Sequence, residues 1–223
     1  MDRILRGGGG WQEAIAGALD RVARPIVADP RFAPRDATGR ASPERYDRSH
    51  FPPARAAATL LLVYPGVDGE LTLPLTVRHP DLRAHAGEVS LPGGAVDAAD
   101  ASPAVAALRE AEEEIGVDAA LVTIAGVLDD VWIPVTNFEL RPYVGTAAVR
   151  PALRPHADEV AEIVELPLRH LLADESVREE LIEGPGWLLR AAVYRHGGHR
   201  IWGATARTLA MFASVLREAG IPP

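Results

Sequence analysis

The 223-residue chain has no cysteine and no lysine, and asparagine and glutamine occur once each, as Asn137 and Gln12. Without cysteine, a disulfide framework and every thiolate-ligated metal site are excluded. Without lysine, Schiff-base chemistry and a P-loop lysine are excluded, and all 23 basic residues are arginines. Two readings of that bias stay open: guanidinium forks suited to phosphate or to heat, and compositional drift toward Ala, Arg, Gly and Pro. Long apolar runs are missing as well. No stretch approaches the ~20 apolar residues that span a bilayer, and the opening MDRILRGGGG lacks the apolar core of a signal peptide. A cytoplasmic location is the expectation. Acidic residues outnumber basic ones 31 to 23, for a net charge of −8, which disfavours nucleic acid and anionic membrane as partners.

Hydrophobic residues make up 48% and charged residues 24%, enough for a sizeable core without staples. Trp11, Ile15, Leu19 and Val22 recur at helical spacing. From Pro25 to Pro53 there are six prolines with little periodicity, a pattern that reads as an extended linker wrapping the domain. Residues 1–54 are therefore expected to be a helix and Pro-rich arm, and residues 55–223 the compact domain. Ala56–Tyr64 and Leu71–Val77 read as strands able to pair as a hairpin across PGVDGE. Pro103 suits a first helical turn and Gly116 a C-terminal cap. Further strands are expected at Leu121–Leu128, Phe138–Val149 and Glu162–Leu166, then a hairpin of Trp187–Tyr194 with Ile201–Trp202 turning at Gly197-Gly198. A last helix is expected over Ala204–Glu218. Helices and strands mix without βαβ alternation, so the class is α+β, a mixed sheet between helices.

The informative segment is Arg109-Glu110-Ala111-Glu112-Glu113-Glu114-Ile115-Gly116-Val117. At ~100° per residue, with Glu110 as origin, Glu113 falls near −60°, Glu114 near +40° and Glu112 at about 200°. Three carboxylates thus share one face and Glu112 points away. Leu108, Ala111 and Ile115 make the core face, and Arg109 sits four residues before Glu113, within reach of its carboxylate. An acidic run by itself is usually a solvated helix face, but Leu91-Pro92-Gly93-Gly94 precedes this one, and a hard divalent cation, Mg²⁺ or Mn²⁺, which takes oxygen ligands and brings phosphate oxygens to it, accounts for the crowding more simply.

These residues resemble the Nudix box: Gly, five residues, Glu, seven residues, then Arg-Glu-apolar-x-Glu-Glu-x-Gly-apolar. Arg109, Glu110, Ala111, Glu113, Glu114, Gly116 and Val117 match its second half in register. The first half departs. Counted forward from Gly94 the expected Glu is Asp100, and counted back from Arg109 it is Ala101, so the loop is one residue longer and its acid one methylene shorter. Leu75-Thr76-Val77-Arg78, Arg83, Gly87 and Leu91-Pro92-Gly93-Gly94 are similar to the signature upstream of the box in coenzyme A pyrophosphatases. Leu128-Asp129-Asp130-Val131, Pro134-Val135 and Ile201-Trp202-Gly203-Ala204-Thr205-Ala206 resemble the same group. His79, Glu88 and Leu91 stand where a small residue, Gln and Phe are usual.

The resemblance covers roughly residues 55 to 215 and implies a Nudix α/β/α sandwich with a mixed β-sheet. It implies a metal-dependent pyrophosphohydrolase that cleaves the diphosphate bond of coenzyme A, or its acyl derivatives, to 3′,5′-ADP and 4′-phosphopantetheine or its acyl form. The alternatives are another nucleoside diphosphate derivative, such as ADP-ribose or NADH, and a non-catalytic Nudix-fold binding domain. Glu110, Glu113 and Glu114 are the implied metal ligands for Mg²⁺ or Mn²⁺. Glu113, Glu110, Arg109 and Glu159 are the implied catalytic group, and Arg78, Arg83, Gly93 and Gly94 the substrate contacts. Arg78 and Arg83 could equally pair with Asp81 or Glu88, Glu159 could be a solvated loop acid, and His85 and Trp202 read as structural. The implied partner is a small nucleotide substrate, with a homodimer allowed and the arm free either to mediate it or to cover the site.

Overall fold

A computed structural model describes residues 2–33, 35–40, 47–82, 86–184 and 187–221. Its helices are α1 (Asp2–Leu5), α2 (Trp11–Arg21), α3 (Pro103–Ile115), α4 (Leu168–Leu172) and α5 (Gly203–Glu218). Its strands are β1 (Arg35–Asp36), β2 (Arg55–Pro65), β3 (Leu71–Arg78), β4 (Val89–Ser90), β5 (Gly93–Ala95), β6 (Thr123–Val127), β7 (Val131–Ile133), β8 (Phe138–Thr146), β9 (Val160–Pro167), β10 (Val177–Gly184), β11 (Trp187–His196) and β12 (His199–Ile201). No helix among the described residues is long and apolar enough to cross a membrane.

The sandwich follows from β2. Successive side chains of a strand point to opposite faces, and here both faces are apolar. Ala57, Leu61 and Val63 enter the larger core cluster with α2, α4 and α5, whereas Ala58, Leu60, Leu62 and Tyr64 meet Ala106, Ala107, Ala111 and Ile115 of α3. A strand buried on both sides has to lie between helical layers. β2 is parallel to β8 from Arg55↔Phe138 to Val63↔Thr146, and antiparallel to β5 at Ala57↔Ala95 through Thr59↔Gly93. The expected β2–β3 hairpin closes only beside its turn, at Tyr64↔Thr72 and Pro65↔Leu71. Beyond that point β3 pairs with β9 and β4, and the gap beside the first half of β2 is filled by β5. That splay sets Gly93-Gly94 directly under α3.

α3 starts where expected. Ser102 caps it by accepting from the Val105 N–H at 3.3 Å, with Pro103 in the first turn, and Gly116 ends it at φ 70°. The N-terminal segment packs into the larger cluster through Trp11, Ile15, Leu19, Ile26 and Phe32. Phe32 stacks on Tyr194 with ring centroids 4.9 Å apart. β10, β11, β12 and β1 form a second sheet, in which Gly197 and Gly198 make the β11–β12 turn at positive φ.

Candidate active site

On α3, Glu114 is 5% exposed, Glu110 is half-buried, and Glu112 and Glu113 face solvent. The helical wheel is therefore right about Ala111, Ile115 and Glu112, but the three box carboxylates lie at graded depth. Glu110 and Glu114 form an inner pair and Glu113 an outer member, its side chain 58% exposed. Gly93 donates its N–H to Glu114 Oε2 at 3.2 Å. A Cβ at Gly94 would sit 2.5 Å from the Glu110 carboxylate, and one at Gly93 would sit 2.4 Å from the Ala58 carbonyl. Close approach to backbone and φ 153° require the glycine at Gly93, while a side chain at Gly94 would displace the Glu110 carboxylate.

Arg109 organises the rim. Its Nη1 donates to Glu110 Oε1 at 2.8 Å and to Glu113 Oε2 at 3.1 Å. Nε and Nη2 hold Asp100 in a fork at 3.1 and 3.0 Å, and Nη2 also donates to the Ala95 carbonyl at 3.2 Å. The acid that replaces the box's first Glu is thus this arginine's clamp. The extra loop residue is taken up by a turn in which Asp97 donates its N–H to the Asp100 carboxylate at 2.8 Å. Arg109 holds the Asp100 carboxyl below its ordinary pKa.

Arg78 and Glu159 reach the same place from β3 and from the loop before β9. The Arg154 and His156 N–H groups donate to the Ile115 and Glu114 carbonyls at 2.8 and 2.9 Å, docking that loop on the C-terminus of α3. The His79 N–H then donates to the Glu159 carbonyl at 2.8 Å. Arg78 has its Nε buried without a hydrogen-bond partner. Arg83 and His85 lie outside the described residues. Asp129 and Asp130, neighbours in the sequence signature, are structural. Asp129 accepts from Arg24 and from the Ile26 N–H, both at 2.5 Å, and so anchors the N-terminal arm, while Asp130 forks Arg141 at 2.9 and 2.7 Å. Trp202 precedes α5 with its ring 6.1 Å from that of Trp187, which fits a packing role.

The electrostatics are unbalanced at the inner pair. Burial pushes the Glu114 carboxyl up to about 7; the Gly93 N–H and the Arg78 charge oppose the shift, and Glu110 and Glu159 add to it. Burial also raises Glu110 despite its bond to Arg109. As they stand, no three such side chains among the described residues are gathered as a metal cage. The donor set nevertheless fits a hard divalent cation: oxygen-only ligands, a buried carboxylate short of positive charge, and a glycine pair that leaves the carboxylates room. Glu110 and Glu114 would hold such an ion, with Glu113 on its solvent side.

The family model for the NUDIX domain matches residues 54–183. The chain is 37% identical over 183 residues to "Nudix hydrolase 15, mitochondrial" of Arabidopsis thaliana, covering 79% of this chain and 64% of the relative. It is 38% identical over 142 residues to "Uncharacterized Nudix hydrolase NudL" of Pectobacterium atrosepticum, covering 64% of this chain and 73% of that one. Among solved structures it is similar to a Nudix hydrolase from M. smegmatis, RenU, with a TM-score of 0.48 and 25% identity over 78% of this chain and 91% of that one. The chain spans about three fifths of the length of the plant relatives it matches. With α3 and its glutamates inside the matched span, the chain belongs to the Nudix domain family.

Proposed function

We propose that the protein is a metal-dependent pyrophosphohydrolase acting on the diphosphate bond of coenzyme A or its acyl derivatives. The observation that carries the hydrolase reading is Glu114, buried beside Glu110 and Gly93-Gly94 with one backbone N–H and no arginine in contact. A non-catalytic binding domain has no need of such a pair, since an uncompensated buried carboxylate costs stability.

A bound Mg²⁺ or Mn²⁺ supplies Lewis-acid polarisation of diphosphate oxygens and lowers the pKa of a water. The chain's own residues do the rest. Arg109, fixed by Asp100, keeps Glu110 and Glu113 from turning away, a positioning role. Arg78, whose charge acts on Glu114, takes the substrate's phosphate oxygens, which a planar fork binds well. Glu159, exposed and close enough to raise both Glu110 and Glu114, takes the proton of the attacking water. The water oxygen forms a new P–O bond as the anhydride P–O bond breaks, and both products leave as phosphates.

Coenzyme A is favoured by the run from Leu75 to Gly94 and by Ile201–Ala206, which resemble the coenzyme A signature. The structure brings these two segments into contact: the Thr205 hydroxyl donates to the Val89 carbonyl at 3.1 Å. The test is a product assay by mass across coenzyme A, dephospho-coenzyme A, ADP-ribose, NADH and diadenosine substrates with Mg²⁺ and with Mn²⁺. Coenzyme A should give 3′,5′-ADP with the highest kcat/KM. An advantage of tenfold or more for ADP-ribose, about 1.4 kcal/mol, would remove the coenzyme A assignment and leave a hydrolase of another nucleoside diphosphate derivative.

A further inference from the structure

At the opposite end of β3 from Arg78, α4 and the β10–β11 ladder enclose a cleft of about 550 Å³, within the size range of small-molecule sites. Arg169, Arg178 and Arg195 line it, together with His170 and His196, whose ring centroids are 4.9 Å apart. The acids on the same wall are Glu70 and Glu175. Glu70 is ion-paired with Arg169, and Glu180 forks Arg195 at 2.6 and 2.7 Å. Arg178 is different. Among the described residues it has no carboxylate within ion-pair distance, and its side chain makes a single long hydrogen bond, 3.4 Å from Nη1 to the Val177 carbonyl.

Both imidazoles use Nε2 toward the backbone: His170 donates to the Arg195 carbonyl at 2.7 Å and His196 to the Glu165 carbonyl at 2.9 Å. A neutral ring fixed in this way keeps Nδ1 as an acceptor, and one added proton makes it a second donor. Burial, with His170 and His199 close by, opposes that proton at His196. A negative charge placed in the cleft favours it.

We propose that this cleft binds a phosphate-bearing anion, with Arg178 as its charge partner and His170 and His196 as further contacts. The site is separate from α3 and does not depend on the hydrolase reading. A guanidinium without a carboxylate is the group that gains most from a dianionic phosphate, because the pair adds charge to a directed hydrogen bond.

The test is a titration of the full chain, in metal-free buffer, with inorganic phosphate and with glycerol 2-phosphate. Imidazole ¹H–¹⁵N correlations report binding, and loss of a signal in His170→Gln assigns it. Saturable shifts at His170 and His196 are expected. Arg178→Ala should weaken binding about tenfold or more, Arg178→Lys should restore part of it, and Arg78→Ala should leave it unchanged. Tighter binding of the ester supports a phosphorylated metabolite as the source, and tighter binding of the free ion supports phosphate itself. The proposal is overturned by the absence of a saturable shift up to on the order of 10 mM of either anion, or by equal binding to a folded Arg178→Ala protein.

Discussion

Glu165 and Glu114 both lie on the side of β2 that α3 covers, yet they are electrically opposite. Burial pushes the Glu165 carboxyl up, but the Arg150 guanidinium and the Tyr64 hydroxyl outweigh it and leave the group below its ordinary pKa. Arg150 reaches it at 3.2 and 2.8 Å and Tyr64 at 2.7 Å. Glu114 is more deeply buried and has one backbone N–H at 3.2 Å, with no arginine in bonding contact. Its carboxyl is pushed up to about 7, chiefly by burial. Glu165, partly buried with its own arginine, fastens the fold; Glu114 has no arginine in contact, and on the reading proposed above a cation from outside would meet its charge.

The comparison can be broken most severely at the inner pair. Glu110→Gln or Glu114→Gln should lower turnover on the order of 10²-fold or more, a few kcal/mol of transition-state stabilisation, and EDTA should abolish turnover in the native chain. Losses of similar size at Glu165 would erase the distinction. Gly94→Ala places a methyl group inside the Glu110 carboxylate's space. Its kcat/KM should fall about tenfold or more, roughly 1.4 kcal/mol, with the helix content by circular dichroism unchanged.

The structural member of the comparison answers in stability. Glu165→Ala strands the Tyr64 hydroxyl and the Arg150 guanidinium and should cost about 1–3 kcal/mol by urea denaturation, with turnover within about twofold of native. Its pH dependence has a defined sign. The folded carboxyl lies below the unfolded value of about 4.3, so its contribution is complete above that pH and is lost as pH falls through the folded pKa. The stability gap between the native chain and Glu165→Gln should therefore narrow below about pH 4.3. The smallest effect is expected on the outward face of α3, where Glu112→Gln should change the rate by less than about twofold.

Much of this site is legible in the residues themselves. The helical period separates Glu112 from Glu110, Glu113 and Glu114 and identifies Ala111 and Ile115 as core. Pro103 and Gly116 mark both ends of α3. The depth of the carboxylates is not legible, because it depends on β5 sliding in beside β2, and β5 has only three residues, two of them glycine. The β2–β3 pairing is overestimated for a related reason. Local spacing favours a hairpin, whereas β3 takes its partners from β9, whose last residues pair with its first across 95 positions of sequence (Thr72↔Pro167). β10 escapes detection because Val-Arg-Glu-Glu-Leu-Ile-Glu-Gly does not alternate and is rich in glutamate, a residue poor in strand propensity. It becomes a strand through its register with β11. The Pro-rich stretch reads as a linker wrapping the domain, but which residues it buries is not legible: Ile26 and Phe32 are buried, two apolar residues six positions apart with no period to reveal them.

Glu114, buried and without an arginine in contact, is proposed to be held so for a divalent cation. The direct measurement is urea denaturation of the native chain and of Glu114→Gln, each with EDTA and with Mn²⁺. Without metal, Glu114→Gln should be the more stable, by on the order of 1 kcal/mol, and Mn²⁺ should raise the midpoint of the native chain while leaving that of the variant nearly unmoved. A variant that is less stable than native in EDTA, or that gains as much from Mn²⁺ as the native chain does, would contradict the claim.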